Sequence, residues 1–199
     1  ALHAGRLGAW SLNIGTSTTI AAYWLPHVLE GFKRTYPRVV PRVSVGNSQL
    51  IADRVANRDL DLGMIEIVTD DPSLERYDAA QDELEVICQP GHPLTEKAQV
   101  TAQDLLAFPF ITREPGNAIR DLADQYFEAA GIPIEEVQIS AELGSLAAVK
   151  QLASEGFGYA IASHAAIQRD INEGRLASVP LKPRLYTPLE VILPRDKFR

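Results

Sequence analysis

The chain of 199 residues has one cysteine, Cys88, so no disulfide can form within it. That usage fits a reducing compartment. No run approaches the ~18 apolar residues of a membrane-spanning helix. No charged-then-apolar leader opens the sequence as given. Basic runs of five or more are also missing, and the formal net charge is −7. An acidic chain of this kind is poorly suited to grip a nucleic-acid backbone with its own surface. Enzyme signatures are equally sparse: there is no Gly-x-Ser-x-Gly elbow, Walker loop, His-Glu-x-x-His or Cys-x-x-Cys. Gly156-Phe-Gly158 lacks the third glycine of a dinucleotide fingerprint and reads as a helix C-cap followed by a strand. The four histidines, His3, His27, His92 and His164, have no metal-ligand spacing. No metal, cofactor or catalytic residue is therefore expected. Cys88 lies in an apolar run and reads as an inert buried thiol. Asp70-Asp71, Asp82-Glu83-Glu85 and Glu135-Glu136 read as solvated loop charge.

What is present is a core. Hydrophobic residues make up 46% of the chain, enough for one large domain or two small lobes. The pattern is α/β. Leu7–Ile14 reads as a strand. Ile20–Tyr36 reads as helix, with Pro26 kinking it or starting a second segment. Val39–Val45 is a strand, the segment around Leu50–Ala56 a helix, and Leu60–Ile67 a strand nearly all apolar at its centre, as a buried parallel strand should be. Thr69–Asp82 reads as a polar connection and Leu84–Gln89 as a strand. Pro90–Leu94 is a turn cluster suited to a lobe boundary. The pattern then restarts, with strands at 108–112, 137–141, 159–162 and 189–193. Helices lie between, at 118–130 and after Ser145.

The chemistry that the sequence does carry is for binding. Asn13-Ile-Gly-Thr-Ser-Thr-Thr-Ile20 places Thr16, Ser17, Thr18 and Thr19 where a strand gives way to a helix. Unpaired backbone N–H groups, a partial positive dipole and hydroxyls meet there, which suits a small anion. An ordinary helix cap uses the same residues. The theme recurs at Asn47-Ser48, Glu66, Thr112–Asn117, Ser145 and Ser163, each following a strand. In parallel α/β sheets ligands bind at that carboxyl edge. Arg113 is the permanent cation among these turns, suited to bidentate recognition of a carboxylate, sulfate or phosphate. A surface salt bridge with Glu114 is the competing reading. Glu66 suits a ligand hydroxyl or amine, or a resting contact with Arg113.

Several ordered segments resemble a known family. Ile14-Gly-Thr-Ser-Thr-Thr-Ile-Ala-Ala-Tyr-Trp-Leu-Pro26, Phe32-Lys-Arg-Thr-Tyr-Pro37, Val45-Gly-Asn-Ser-Gln49, Leu60-Asp-Leu-Gly-Met-Ile-Glu66, Pro90-Gly-His-Pro-Leu94 and Val149–Ile161 resemble the effector-binding domain of LysR-type transcriptional regulators. Arg113-Glu-Pro-Gly-Asn-Ala-Ile-Arg120 resembles a stretch of the regulators of sulfur assimilation and carbon fixation, departing at Asn117, Ala118 and Ile119. The resemblance implies two Rossmann-like lobes joined by two crossover strands, like type 2 periplasmic binding proteins. Lobe I would be residues 1–84 and 188–199, and lobe II residues 85–187. The N-terminal winged helix-turn-helix of the family would be absent from this chain. A small effector, most simply a sulfur oxyanion, sugar phosphate, nucleotide or carboxylate, would bind between the lobes. Thr16, Ser17, Thr18, Thr19, Asn47, Ser48 and Glu66 would line one side, and Thr112, Arg113, Ser145 and Ser163 the other. The chain would be a cytoplasmic sensor without catalytic activity that self-associates to a dimer or tetramer; the apolar faces around Trp24–Phe32 and Leu122–Phe127 are either its contact surfaces or parts of each lobe's own core. DNA would be reached only through the absent domain. A solute-binding protein of a transporter is the alternative from another class.

Overall fold

The computed structural model describes residues 3–4, 10–67 and 70–195. Residues 7–9 of the expected first strand lie outside that range. In chain order the elements are β1 (His3–Ala4), β2 (Trp10–Thr16), α1 (Thr18–Tyr23), α2 (Leu25–Thr35), β3 (Val39–Val45), α3 (Ser48–Ala56), β4 (Leu62–Ile65), β5 (Leu74–Cys88), α4 (Ala102–Leu105), β6 (Phe110–Arg113), α5 (Ala118–Ala129), β7 (Ile139–Leu143), α6 (Leu146–Ser154), β8 (Tyr159–Ser163), α7 (His164–Asn172) and β9 (Ala177–Pro194). They form two compact units, Ala1–Gln81 with Pro188–Arg199, and Asp82–Thr187. The chain passes between units twice, within β5 and within β9.

In unit 1, β2 pairs in parallel with β3 on one side and β4 on the other, and β4 pairs antiparallel with β9 at Gly63↔Ile192. The helix expected over Ile20–Tyr36 is two helices meeting at Trp24. Pro26 has no N–H to donate, and it sits in the first turn of α2, where none is needed. Gly15 makes the packing of α3 possible. A Cβ there would lie 2.5 Å from Leu60 Cδ1 and 2.8 Å from Ile51 Cγ2, well inside contact distance. The core is Ile51, Ala52, Val55, Leu60, Ile65, Leu74 and Ile192. By contrast α2 fully buries only Leu25, although Val28, Leu29 and Phe32 share its apolar stripe. Val28 is 50% exposed, and Val40, Val43 and Val45 of β3 are also exposed.

In unit 2 the strand order is β5-β8-β6-β7, with β8, β6 and β7 parallel and β5 antiparallel to β8. Side-chain alternation along β8 separates two cores. Tyr159 and Ile161 join Phe110, Ile119, Ala123 and Phe127. Ala160 and Ala162 join Ile111, Val149, Ala153 and Ile167. Gly156, at φ +84°, ends α6 in the left-handed region, as a C-cap glycine does.

The structure corrects four expectations. Most of the expected polar connection 69–82 is strand, since β5 begins at Leu74. Helix α7 was not foreseen, because its buried stripe of Ala166, Ile167 and Asp170 is short and includes an acid. The last strand starts at Ala177 rather than Leu189; Pro180, Pro183 and Pro188 argue against a strand when read locally. The Pro90–Leu94 turn lies inside unit 2, and the units divide at Gln81/Asp82 and Thr187/Pro188. Of the two readings of the face around Leu122–Phe127, the core reading holds: Ala123, Tyr126 and Phe127 are buried, Tyr126 and Phe127 packing edge to face at 6.0 Å.

Candidate functional site

Parallel strands and the helices that follow them place the expected residues on two rims, one in each unit. In unit 1 the rim is made by the carboxyl ends of β3, β2 and β4. The Gly46 N–H donates to the Thr16 carbonyl at 3.0 Å and so ties two of these ends together. Ser17 is the N-cap of α1, its Oγ accepting from Ile20 N–H at 3.2 Å. Asn47 is the N-cap of α3, its Oδ1 accepting from Leu50 N–H at 2.8 Å. Both residues therefore perform the capping role that their types favour. Ser48 Oγ accepts from the Glu66 N–H at 3.2 Å, which joins the end of β4 to the start of α3. Thr16, Ser17, Thr19, Ser48 and Glu66 are buried, whereas Thr18 and Asn47 are exposed. Thr16 Oγ1 is buried with no hydrogen-bond partner among the described residues.

In unit 2 the rim is made by β8, β6 and β7. Thr112 and Arg113 end β6, Ser145 follows β7 and Ser163 ends β8. Ser145 Oγ caps α6 by accepting from Ala148 N–H at 3.4 Å. Ser163 is fully buried and donates its hydroxyl proton to the Asp82 carboxylate. Asp82 also accepts from Ala165 N–H at 3.4 Å, so this aspartate, rather than Ser163, serves the N-terminus of α7.

Arg113 is the centre of the unit 2 rim. Its side chain is 3% exposed. Nε donates to Glu114 Oε2 at 2.9 Å and to the Leu143 carbonyl at 3.2 Å, and Nη2 donates to Glu114 Oε1 at 3.1 Å. The guanidinium is thus held by the end of β7 and by its own chain neighbour. Nη1 is buried with no partner among the described residues, as is Thr112 Oγ1. A buried donor left in that state costs about 1–3 kcal/mol. Arg120 backs the site without entering it. Its Nη1 donates to the Arg113 carbonyl at 2.9 Å and to Glu142 Oε2 at 2.6 Å.

Sequence reasoning missed part of this. Of the acidic group read as solvated, Asp82 and Glu85 are buried. Glu85 meets His164 Nδ1 at 2.5 Å, and Glu83 pairs with Arg184. Their partners are too far away in sequence to be read locally. Cys88 is fully buried and its thiol is pushed up to about 11 by burial, the inert thiol expected of that position. Among the described residues no cluster of His, Cys, Asp and Glu is suited to a metal ion. No described helix is long and apolar enough to cross a membrane.

Comparison with known proteins follows the same lines. A probable RuBisCO transcriptional regulator of Phaeodactylum tricornutum is 32% identical over 166 residues, 81% of this chain and 53% of its own length. Its namesake in Trichormus variabilis is 33% identical over 179 residues, covering 88% of this chain and 53% of the relative. The chain therefore spans about half the length of these curated relatives. Among solved structures, the regulatory domain of CcmR from Synechocystis PCC6803, in complex with 2-PG, superposes with a TM-score of 0.84 at 24% identity, covering 94% of this chain and 89% of that one. This likeness establishes the fold, two α/β units of the type 2 periplasmic-binding-protein kind. Residues 6–199 match the family described as LysR substrate binding domain, and the chain belongs to that family.

Proposed function

We propose that the chain is the effector-sensing part of a LysR-type transcriptional regulator and that its effector is a small oxyanion bound through Arg113. The observation that carries this reading is the buried Arg113 guanidinium at the carboxyl edge of a parallel strand. In unit 1, the rim holding Thr16, Ser17, Thr18, Thr19, Asn47, Ser48 and Glu66 supplies hydroxyls and helix-start N–H groups. In unit 2, Thr112 precedes Arg113 in β6, and Ser145 and Ser163 stand at the ends of the neighbouring strands β7 and β8. The complex of the CcmR regulatory domain with 2-PG supports an anionic ligand in a protein of this fold. The effector is bound and not converted. Its binding shifts a conformational equilibrium by its differential affinity for the two states. The protein acts in the cytoplasm and self-associates through the α2 and β3 face of unit 1. DNA contact belongs to a segment outside these 199 residues. The family match and the two probable transcriptional regulators among the relatives favour this reading over a transporter's solute-binding protein.

Thermal melting with a panel of sulfate, 2-phosphoglycolate, a sugar phosphate, a nucleotide and small carboxylates tests this. A ligand at 100 times its dissociation constant adds about 2.7 kcal/mol to stability. Stabilisation by an oxyanion that disappears in Arg113→Ala is the expected result. Equal responses of the two proteins would remove Arg113 from the site, and no response to any anion would overturn the reading.

A further inference from the structure

We infer that Glu114 is an internal anion that the effector must displace from Arg113, and that it thereby sets the affinity of the site. This rests on the reading of Arg113 as the effector's cation. A guanidinium binds a carboxylate or phosphoryl group best through two parallel N–H donors matched to two oxygens. One such edge of Arg113, Nε with Nη2, is already filled. Glu114 Oε2 and Oε1 stand 2.9 and 3.1 Å from these nitrogens. The third nitrogen, Nη1, is enclosed.

The exposures of the pair show which partner solvent meets. Arg113 is 3% exposed at its side chain and Glu114 is 41%. An approaching anion therefore encounters the carboxylate first and is repelled by it. The cation becomes available once Glu114 swings aside. Its carboxylate has no other hydrogen-bond partner among the described residues, and it stands just before the exposed residues Pro115 and Gly116, so leaving costs it the Arg113 contact and little else. The Leu143 carbonyl keeps its hold on Nε at 3.2 Å, which leaves the guanidinium in place for the incoming group. Binding is then an exchange of one oxyanion for another on the same fork. A group with two oxygens at suitable spacing, such as a carboxylate, phosphoryl or sulfonyl, can replace Glu114. A monatomic anion cannot span the two donors.

Titration calorimetry with 2-phosphoglycolate, sulfate and chloride decides the matter. It is run on the unaltered chain, Glu114→Gln, Glu114→Ala and Arg113→Ala, with the melting temperature of each variant recorded to verify folding. With the competing charge removed, both oxyanions bind Glu114→Gln and Glu114→Ala roughly tenfold more tightly, the scale of one charge interaction at this degree of exposure. Chloride binding stays weak throughout. Equal or weaker oxyanion binding in both Glu114 variants overturns the inference: Glu114 would then position Arg113 rather than compete for it, and the proposed function would stand. Oxyanion binding that survives Arg113→Ala, or no oxyanion binding to any of the four proteins, overturns both.

Discussion

Unit 2 has a buried apolar cluster on each face of its sheet, whereas unit 1 has one such cluster, beside α3; on its other face Ile14, Ile20 and Leu25 are buried, but Val28 of α2 and much of β3 are exposed. The sequences of the two units do not differ in this way. Both have parallel strands, capped helices and amphipathic stripes. In unit 2 the stripe of α5 meets Phe110 and Tyr159, rings stacked with centroids 5.0 Å apart. In unit 1 the stripe of α2, with Val28, Leu29 and Phe32, joins no buried core cluster among the described residues. Equal amphipathicity thus has two outcomes. One face contributes to the core of its own unit, and the other stays partly exposed, with Val28 at 50%.

The largest test of that contrast lies in the unit 2 core. Phe127→Ala removes a fully buried ring packed edge to face on Phe110 at 5.9 Å, and should cost about 3–5 kcal/mol, read as a fall in the denaturant midpoint. A much smaller loss would mean that unit 2 is packed more loosely than its two cores indicate. An intermediate effect belongs to the Lys150–Asp170–Arg175 network, with two contacts of 2.7 Å. Burial works to raise the Asp170 pKa, but hydrogen bonds and charge from Lys150 and Arg175 outweigh it and hold the carboxyl below its ordinary value. A carboxyl depressed in the folded state stabilises it above its unfolded pKa of about 3.9. That contribution is lost as pH falls through the lower folded value. Asp170→Asn should cost about 1–2 kcal/mol at pH 7 and flatten the acid limb of stability below about pH 4; an unchanged acid limb would show that the network does not titrate as described. The smallest effect on folding is expected on α2. Val28→Asp should alter stability by no more than about 0.5 kcal/mol, yet weaken self-association in sedimentation velocity. If it destabilises the chain as much as Phe127→Ala, the contrast between the units fails.

Local signals carried most of the framework into the sequence. Ser17, Asn47, Asn117 and Ser145 each accept from a backbone N–H two or three residues on, so the starts of α1, α3, α5 and α6 were marked by their own residues. Thr101 and Asp104 complete a reciprocal capping box. Long-range pairing was not marked in this way. The early part of β5, all of α7 and most of β9 are polar or proline-containing, and they are ordered by partners distant in sequence. The site shows the same division. Arg113 stood out by charge and position, and its neighbour Glu114 was visible as a rival partner. That the cation is enclosed while the carboxylate faces solvent depends on β7, whose Leu143 carbonyl lies thirty positions away. The burial of Asp82 and Glu85 likewise depends on Ser163 and His164.

The double passage of the chain between units has a consequence for the order of assembly. Unit 2 is contiguous, Asp82–Thr187, but unit 1 closes its sheet with residues from the far end of the chain, where Val191 pairs with Met64. During synthesis every strand of unit 2 is complete before that last strand of unit 1 emerges. Contacts between such distant positions also form slowly, since a long loop must be closed first. Pulse-labelling of amides during refolding should therefore show protection at Phe110, Ala160 and Ile161 before protection at Met64 and Ile192. Unit 1 would be the last part of the molecule to become native, with its exposed α2 face presented only when the chain is whole.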